Sequence, residues 1–163
     1  MTYRLNRFCL SFFPVLVSLS LIYPTITWSA DLDALSKNSE VILFGKVLET
    51  QCVWAETSLN IITHTKFLVE KNVKGLFRAG DTVTIETLGG CINGMKQVRT
   101  NSPTLNKGEH VLVFLNPGSK GVYVVYQQKE GAIPFAGHGE DRISQDGKKL
   151  SNLISEVNLV LQK

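Results

Sequence analysis

The chain has 163 residues, is 44% hydrophobic and 19% charged, and carries a formal net charge of +3. Arg4 and Arg7 are the only charges in the first 30 residues, so setting that segment aside takes 17 basic residues to 15 against 14 acidic ones and the net charge to +1. A nearly neutral remainder lacks the basic face of a nucleic-acid binder, and about 130 residues of ordinary globular composition predict a single domain with its own core over residues 31–163.

Residues 1–30 read as a signal peptide. Tyr3 to Arg7 supplies a positive n-region, and Phe8 to Ile22 an apolar h-region. Pro14 and Tyr23-Pro24 interrupt the run before it reaches the roughly 20 residues that cross a bilayer as a helix. Cleavage after Ser29 or after Ala30 leaves a periplasmic or secreted chain with no stable membrane span, and retention of the segment as an N-terminal anchor is the other reading. Cys9 departs with the leader, leaving Cys52 and Cys91. In an exported protein such a pair reads as one disulfide, with two buried free thiols as the alternative.

Asp31 to Ser39 carries Leu32 and Leu35 at helical spacing and predicts a short helix or turn. Glu40 to Leu48 is rich in β-branched and aromatic residues and predicts the first strand, with Gly45 at a bulge or a close backbone approach. Gln51 to Asn60 reads as a loop holding Cys52 and Trp54. Ile61 to Glu70 alternates, with Ile61, Thr63, Thr65, Phe67 and Val69 on one face, and predicts a strand with one solvated face. Thr82 to Leu88 alternates again, with Val83 and Ile85 inward.

Gly89-Gly90-Cys91-Ile92-Asn93-Gly94 lacks both the Gly-Lys-Ser/Thr ending of a Walker loop and the spacing of a dinucleotide fingerprint, so it predicts a tight turn or hairpin corner. Residues 95–108 read as an extended polar connection. Glu109 to Leu115 and Gly121 to Gln127 predict strands flanking Asn116-Pro117-Gly118-Ser119, and Ala132 to Phe135 a short edge strand at Pro134. Leu150, Leu153, Ile154, Val157, Val160 and Leu161 form one apolar stripe, which predicts an amphipathic helix over about 146–162 with Asp146 as N-cap. These elements add up to a mainly β protein: a small antiparallel barrel or sandwich with a C-terminal amphipathic helix.

A larger pattern runs from Val41-x-x-x-Gly45-x-Val47 through Thr63-x-Thr65-x-Phe67-x-Val69, Val73-Lys74-Gly75, Gly80-Asp81-x-Val83 and Leu88-Gly89-Gly90 to Gly108-Glu109-x-Val111-Leu112-x-Phe114-Leu115. It resembles a group of small exported bacterial proteins and, more distantly, the netrin-like modules of metalloproteinase inhibitors. The resemblance implies a five-stranded OB-type barrel. The inhibitors chelate the protease zinc through an N-terminal Cys, whereas either cleavage here leaves Ala30 or Asp31 first, so that mechanism does not carry over.

The chemistry legible in the residues is sparse. His64, His110 and His138 share no metal-ligating spacing, and His138 with Glu140 and Asp141 is the best local cluster for a divalent ion. Cys91 with His110 or His138 would suit a small thiol hydrolase. The expected role is non-enzymatic, without cofactor: binding an unidentified protein or envelope component, with Trp54, Tyr123, Tyr126 and Phe135 as candidate anchors. Packing in the core or across strands is their other role, and inhibition of an exported protease is a reading by fold analogy alone.

Overall fold

A computed structural model describes residues 31–56 and 58–163, without the side chain of Glu140. The predicted leader, Cys9 included, lies outside the described residues.

The chain opens with helix α1 (Leu32–Asn38), whose Asp31 side chain accepts a hydrogen bond from the Ala34 amide. Strands β1 (Val41–Trp54) and β2 (Ile61–Lys74) follow as one long antiparallel hairpin, then β3 (Thr82–Leu88). A two-stranded ribbon comes next, β4 (Gly90–Ile92) and β5 (Met95–Gln97), turning at Asn93-Gly94 where a hairpin corner is expected. After a connection come β6 (His110–Pro117), β7 (Tyr123–Val125), β8 (Ala132–Ala136), β9 (Ile143–Ser144) and helix α2 (Leu150–Leu161).

The main sheet runs β1-β2-β3-β7-β6, and β1 pairs again with β6, so these five strands close into a barrel. Of its seams only β3–β7 is parallel, a departure from the all-antiparallel expectation. It follows from topology: β7 enters between β3 and β6 after a short reversal and pairs antiparallel with β6, so it must run with β3. The result is an OB-like barrel with β8 and β9 added along β6 and a C-terminal helix packed outside.

Two core layers share the strands β1 and β6. Leu43, Val47, Phe67, Val69, Ile85, Val111, Val113 and Leu115 fill the barrel interior. Leu35, Ile42, Phe44, Leu112, Phe114 and Phe135 form the other layer with Leu150, Leu153, Ile154 and Val157 of α2. Neighbouring residues of a strand point to opposite faces. Hence Val41 to Phe44 and Val111 to Leu115 are buried without alternation, one residue into the barrel and the next beneath the helices.

The predicted close approach at Gly45 is real: a Cβ there would stand 1.9 Å from the Leu68 carbonyl oxygen and 2.9 Å from the Phe67 ring, beside a register shift between Phe44 and Gly45. Only hydrogen fits between the strands at that point.

α1 is held to the barrel by one cation. The Lys74 ammonium, at the end of β2, donates to the carbonyl oxygens of Ser36, Lys37 and Ser39 at 3.0, 3.3 and 2.5 Å. It thereby satisfies carbonyls that the end of a helix leaves without partners and opposes the negative end of the helix dipole. Lys74→Met keeps the stem and removes the donors; we expect a loss of about 1–2 kcal/mol in chemical denaturation. Faster hydrogen exchange should be confined to α1, and unchanged exchange there would count against this role.

Several boundaries differ from the sequence reading. β5 (Met95–Gln97) lies inside what reads as a polar connection, and β7 keeps only Tyr123–Val125 of the expected Gly121 to Gln127. β1 continues through Cys52 to Trp54, where a loop is expected, because Gln51 to Trp54 pair in register with Ile61 to His64. α2 begins at Leu150 rather than near residue 146, and Asp146 is not its cap. Lys149 precedes the helix without a side-chain cap, while Asp146 sits in a turn closed by the Gly147 amide donating to the Ser144 carbonyl. β8 keeps its expected edge character at Pro134, since β9 pairs only with Phe135 and Ala136.

Candidate interaction surface

The end of the barrel where the β1–β2 hairpin meets the β4–β5 ribbon collects most of the uncommitted chemistry. The ribbon is seated by its glycine: a Cβ on Gly90 would meet Cys52 Sγ and Thr63 Oγ1 at 2.6 Å each, so the backbone lies directly on those side chains. Polar contacts then lock the two hairpins together. Gln97 Oε1 accepts from the Ile61 amide at 2.6 Å, and Asn60 Oδ1 accepts from Gln97 Nε2 at 3.2 Å and from Arg99 at 2.7 Å. The Lys120 ammonium of the β6–β7 connection binds Glu56 on the hairpin loop, and by that hydrogen bond and its charge it lowers the Glu56 carboxyl below the ordinary carboxylate range.

Around this frame, apolar side chains face solvent. Eight large hydrophobic residues are exposed among the described residues, and five of them, Trp54, Leu59, Leu88, Met95 and Val98, belong to this end; Leu59 is 91% exposed. Register explains part of the pattern. Trp54 and Cys52 project on the face that is interior further down β1, beyond the point where the barrel can cover them. Val53, Ile62 and Leu88 lie side by side on the outer face of three adjacent strands. An open groove of about 350 Å3 runs between the β3–β4 corner and residues 97–105, with Cys91, Lys96 and Arg99 in its walls and Leu105 among its apolar lining.

The candidate anchors divide. Trp54 is exposed at this end. Tyr123 is half-buried with its ring edge-on to Phe77 at 5.5 Å, and Tyr126 packs against the helix-facing core. Phe135 is not an anchor: it is 8% exposed, edge-on to Phe44 at 5.8 Å beneath α2, because pairing of β8 with β6 turns it into the helix-facing layer.

Cys52 and Cys91 are unpaired thiols in the structure, so the predicted disulfide is not formed there, but they are neighbours: the Cys91 amide donates to Cys52 Sγ at 3.2 Å. Cys91 is exposed, and among the described residues no histidine hydrogen-bonds it. His64 Nε2 lies 3.1 Å from Glu86 across β2 and β3. His110 Nε2 lies 3.1 Å from Glu70, and its ring stacks on Phe44. Arg142 joins that cluster, 3.7 Å from Glu70 and with its guanidinium over the Phe44 ring. It fastens the β8–β9 loop to the barrel; neither it nor the His110–Glu70 pair was legible from local spacing.

His138 is exposed in that loop, and Asp141 pairs with Lys149 at 3.3 Å. Among the described residues no group of three His, Cys, Asp or Glu is placed to hold a metal ion; the Glu140 side chain is outside the description. No described helix is long and apolar enough to cross a membrane. No protein-family model matches the chain, and no curated protein matches it.

Proposed function

We propose that this protein is an exported, non-enzymatic binding module that engages a protein or envelope partner through the end of the barrel built by the β1–β2 and β4–β5 hairpins. The observation that carries the reading is that Trp54, Leu59, Leu88, Met95 and Val98, five of the eight exposed large apolar residues among those described, lie at this one end, Trp54 and Leu88 on opposite faces of its strands. Exposed apolar side chains grouped on a rigid frame favour a partner that covers them, and aromatic anchors contribute heavily to such contacts. Gln97 and Asn60 hold the frame still, which lowers the ordering cost of association.

The test is a double substitution, Trp54→Ser with Leu88→Ser, on solvent-exposed positions, against Leu159→Ser on the exposed side of α2 as control. Retention of native envelope components on the immobilised protein should fall about tenfold with the first pair and be unchanged in the control. Equal retention by all three proteins would overturn the assignment of this surface.

The same reading includes a Cys52–Cys91 disulfide in the mature protein. The thiols would give up two protons and two electrons to an oxidised dithiol protein by exchange, closing a loop of about 40 residues that stabilises by roughly 4 kcal/mol in the chain-entropy model. What supports the pairing is the contact of the Cys91 amide with Cys52 Sγ at 3.2 Å, although the two sulfurs do not stand at bonding distance. Exported protein treated with iodoacetamide without reductant should stay unmodified and gain two adducts after reduction. Two adducts before reduction would exclude the bridge, and rapid modification of Cys91 alone would favour the thiol-hydrolase alternative.

A further inference from the structure

We infer that the groove beside β3 binds an extended, acidic peptide segment; this rests on the proposed function and specifies the partner's chemistry. Three independent features converge on one side of the barrel end. The first is a free strand edge. β7 covers β3 only at Ile85 and Glu86. The Gly89 amide donates to the Ile61 carbonyl, so the alternation of an antiparallel ladder aims the peptide groups of Thr87 and Gly89 at β2 and that of Leu88 away from it, toward the groove. An uncovered edge recruits an extended chain by main-chain pairing.

The second feature is apolar lining. Leu88 and Val98, both exposed, line it together with the buried Leu105. Alternate side chains of an added strand would fall among them.

The third is charge. No carboxylate lines the groove, while Lys96 and Arg99 do. Neither forms an ion pair among the described residues; Arg99 is instead oriented by the neutral amide oxygen of Asn60. Elsewhere Lys37, Lys66, Lys120, Lys148 and Lys149 are paired with carboxylates, while Lys46, Lys71, Lys107 and Lys129 form no ion pair among the described residues either, so the groove is marked by two cations together in a lining without a carboxylate. Two uncompensated cations beside an open strand edge favour carboxylates on the incoming segment and repel a basic one.

Fluorescent peptides of alternating sequence, (Leu-Glu)4, (Leu-Gln)4 and (Leu-Lys)4, test this by anisotropy with the purified protein, alongside an eight-residue thymidine oligonucleotide. The Glu peptide should bind about tenfold tighter than the Gln peptide, weaken with added salt, and lose that advantage in Lys96→Glu/Arg99→Glu. Both substituted positions are exposed, and circular dichroism of the variant should match the parent. Equal affinity for the three peptides, no binding of any, or binding of the oligonucleotide as tight as that of the Glu peptide would overturn the inference. Binding of the Gln peptide that depends on Leu88 and Val98 but not on Lys96 or Arg99 would sink acidic selectivity alone and leave the docking surface standing.

Discussion

Gly45→Ala should lose about 3 kcal/mol or more of stability, at the upper end of what a single methyl does to a protein. The added Cβ would lie 1.9 Å from the Leu68 carbonyl oxygen, and the atom it strikes is backbone of the neighbouring strand, not the end of a side chain that can swing aside. Relief requires β1 and β2 to separate, and these two strands form the longest pairing in the barrel. β1 also closes the barrel through β6, with Gly45 opposite Val111, so displacement on one edge is transmitted to the other. Thermal unfolding followed by circular dichroism should show the midpoint lowered by about 10–20 °C, or yield only insoluble protein. A midpoint within a degree or two of the parent would mean that the strands are further apart than described.

Phe114→Ala should cost about 3–5 kcal/mol by a different mechanism, the loss of a buried ring and the cavity left behind. Phe114 is fully buried in the layer shared by the β1–β6 face and α2. Against total stabilities of about 5–15 kcal/mol for domains of this kind, that is a large fraction. The site of damage distinguishes the two variants. Emptying the outer layer should loosen α2 and raise its hydrogen exchange ahead of the barrel amides, whereas Gly45→Ala should act on β1 and β2 first. Uniform acceleration in Phe114→Ala would argue that helix and barrel are one cooperative unit.

Much of this architecture was legible in the sequence. Period-two alternation located β2 and β3 because each has one face in the barrel interior and one in water, as Phe67 and Val69 beside Lys66 and Glu70 show. The stripe on α2 was legible for the same reason, with Leu150, Leu153, Ile154 and Val157 buried as a set. The runs Val41 to Phe44 and Val111 to Leu115 carried a further message in their lack of alternation, since a strand buried on both faces needs no polar side.

The parts that escaped depend on contacts distant in sequence. Gln51 to Trp54 have no strand pattern of their own; they are extended because Ile61 to His64 lie opposite. Phe135 is indistinguishable by type from an exposed anchor until pairing of β8 with β6 turns it under α2. The candidate surface was half visible. Trp54 stood out in a polar context, but Leu59, Met95 and Val98 sit singly among polar residues and come to the same end of the barrel only when the two hairpins meet.

The end of the barrel built by the two hairpins is proposed to face a partner. Photo-crosslinking in the producing cell tests it most directly, with a benzophenone amino acid placed at Leu59 on the hairpin tip or at Leu159 on α2, both already exposed to solvent. A discrete higher-mass adduct is expected from position 59, lost in Trp54→Ser/Leu88→Ser and absent from position 159. An adduct from position 159 with none from position 59 would contradict it.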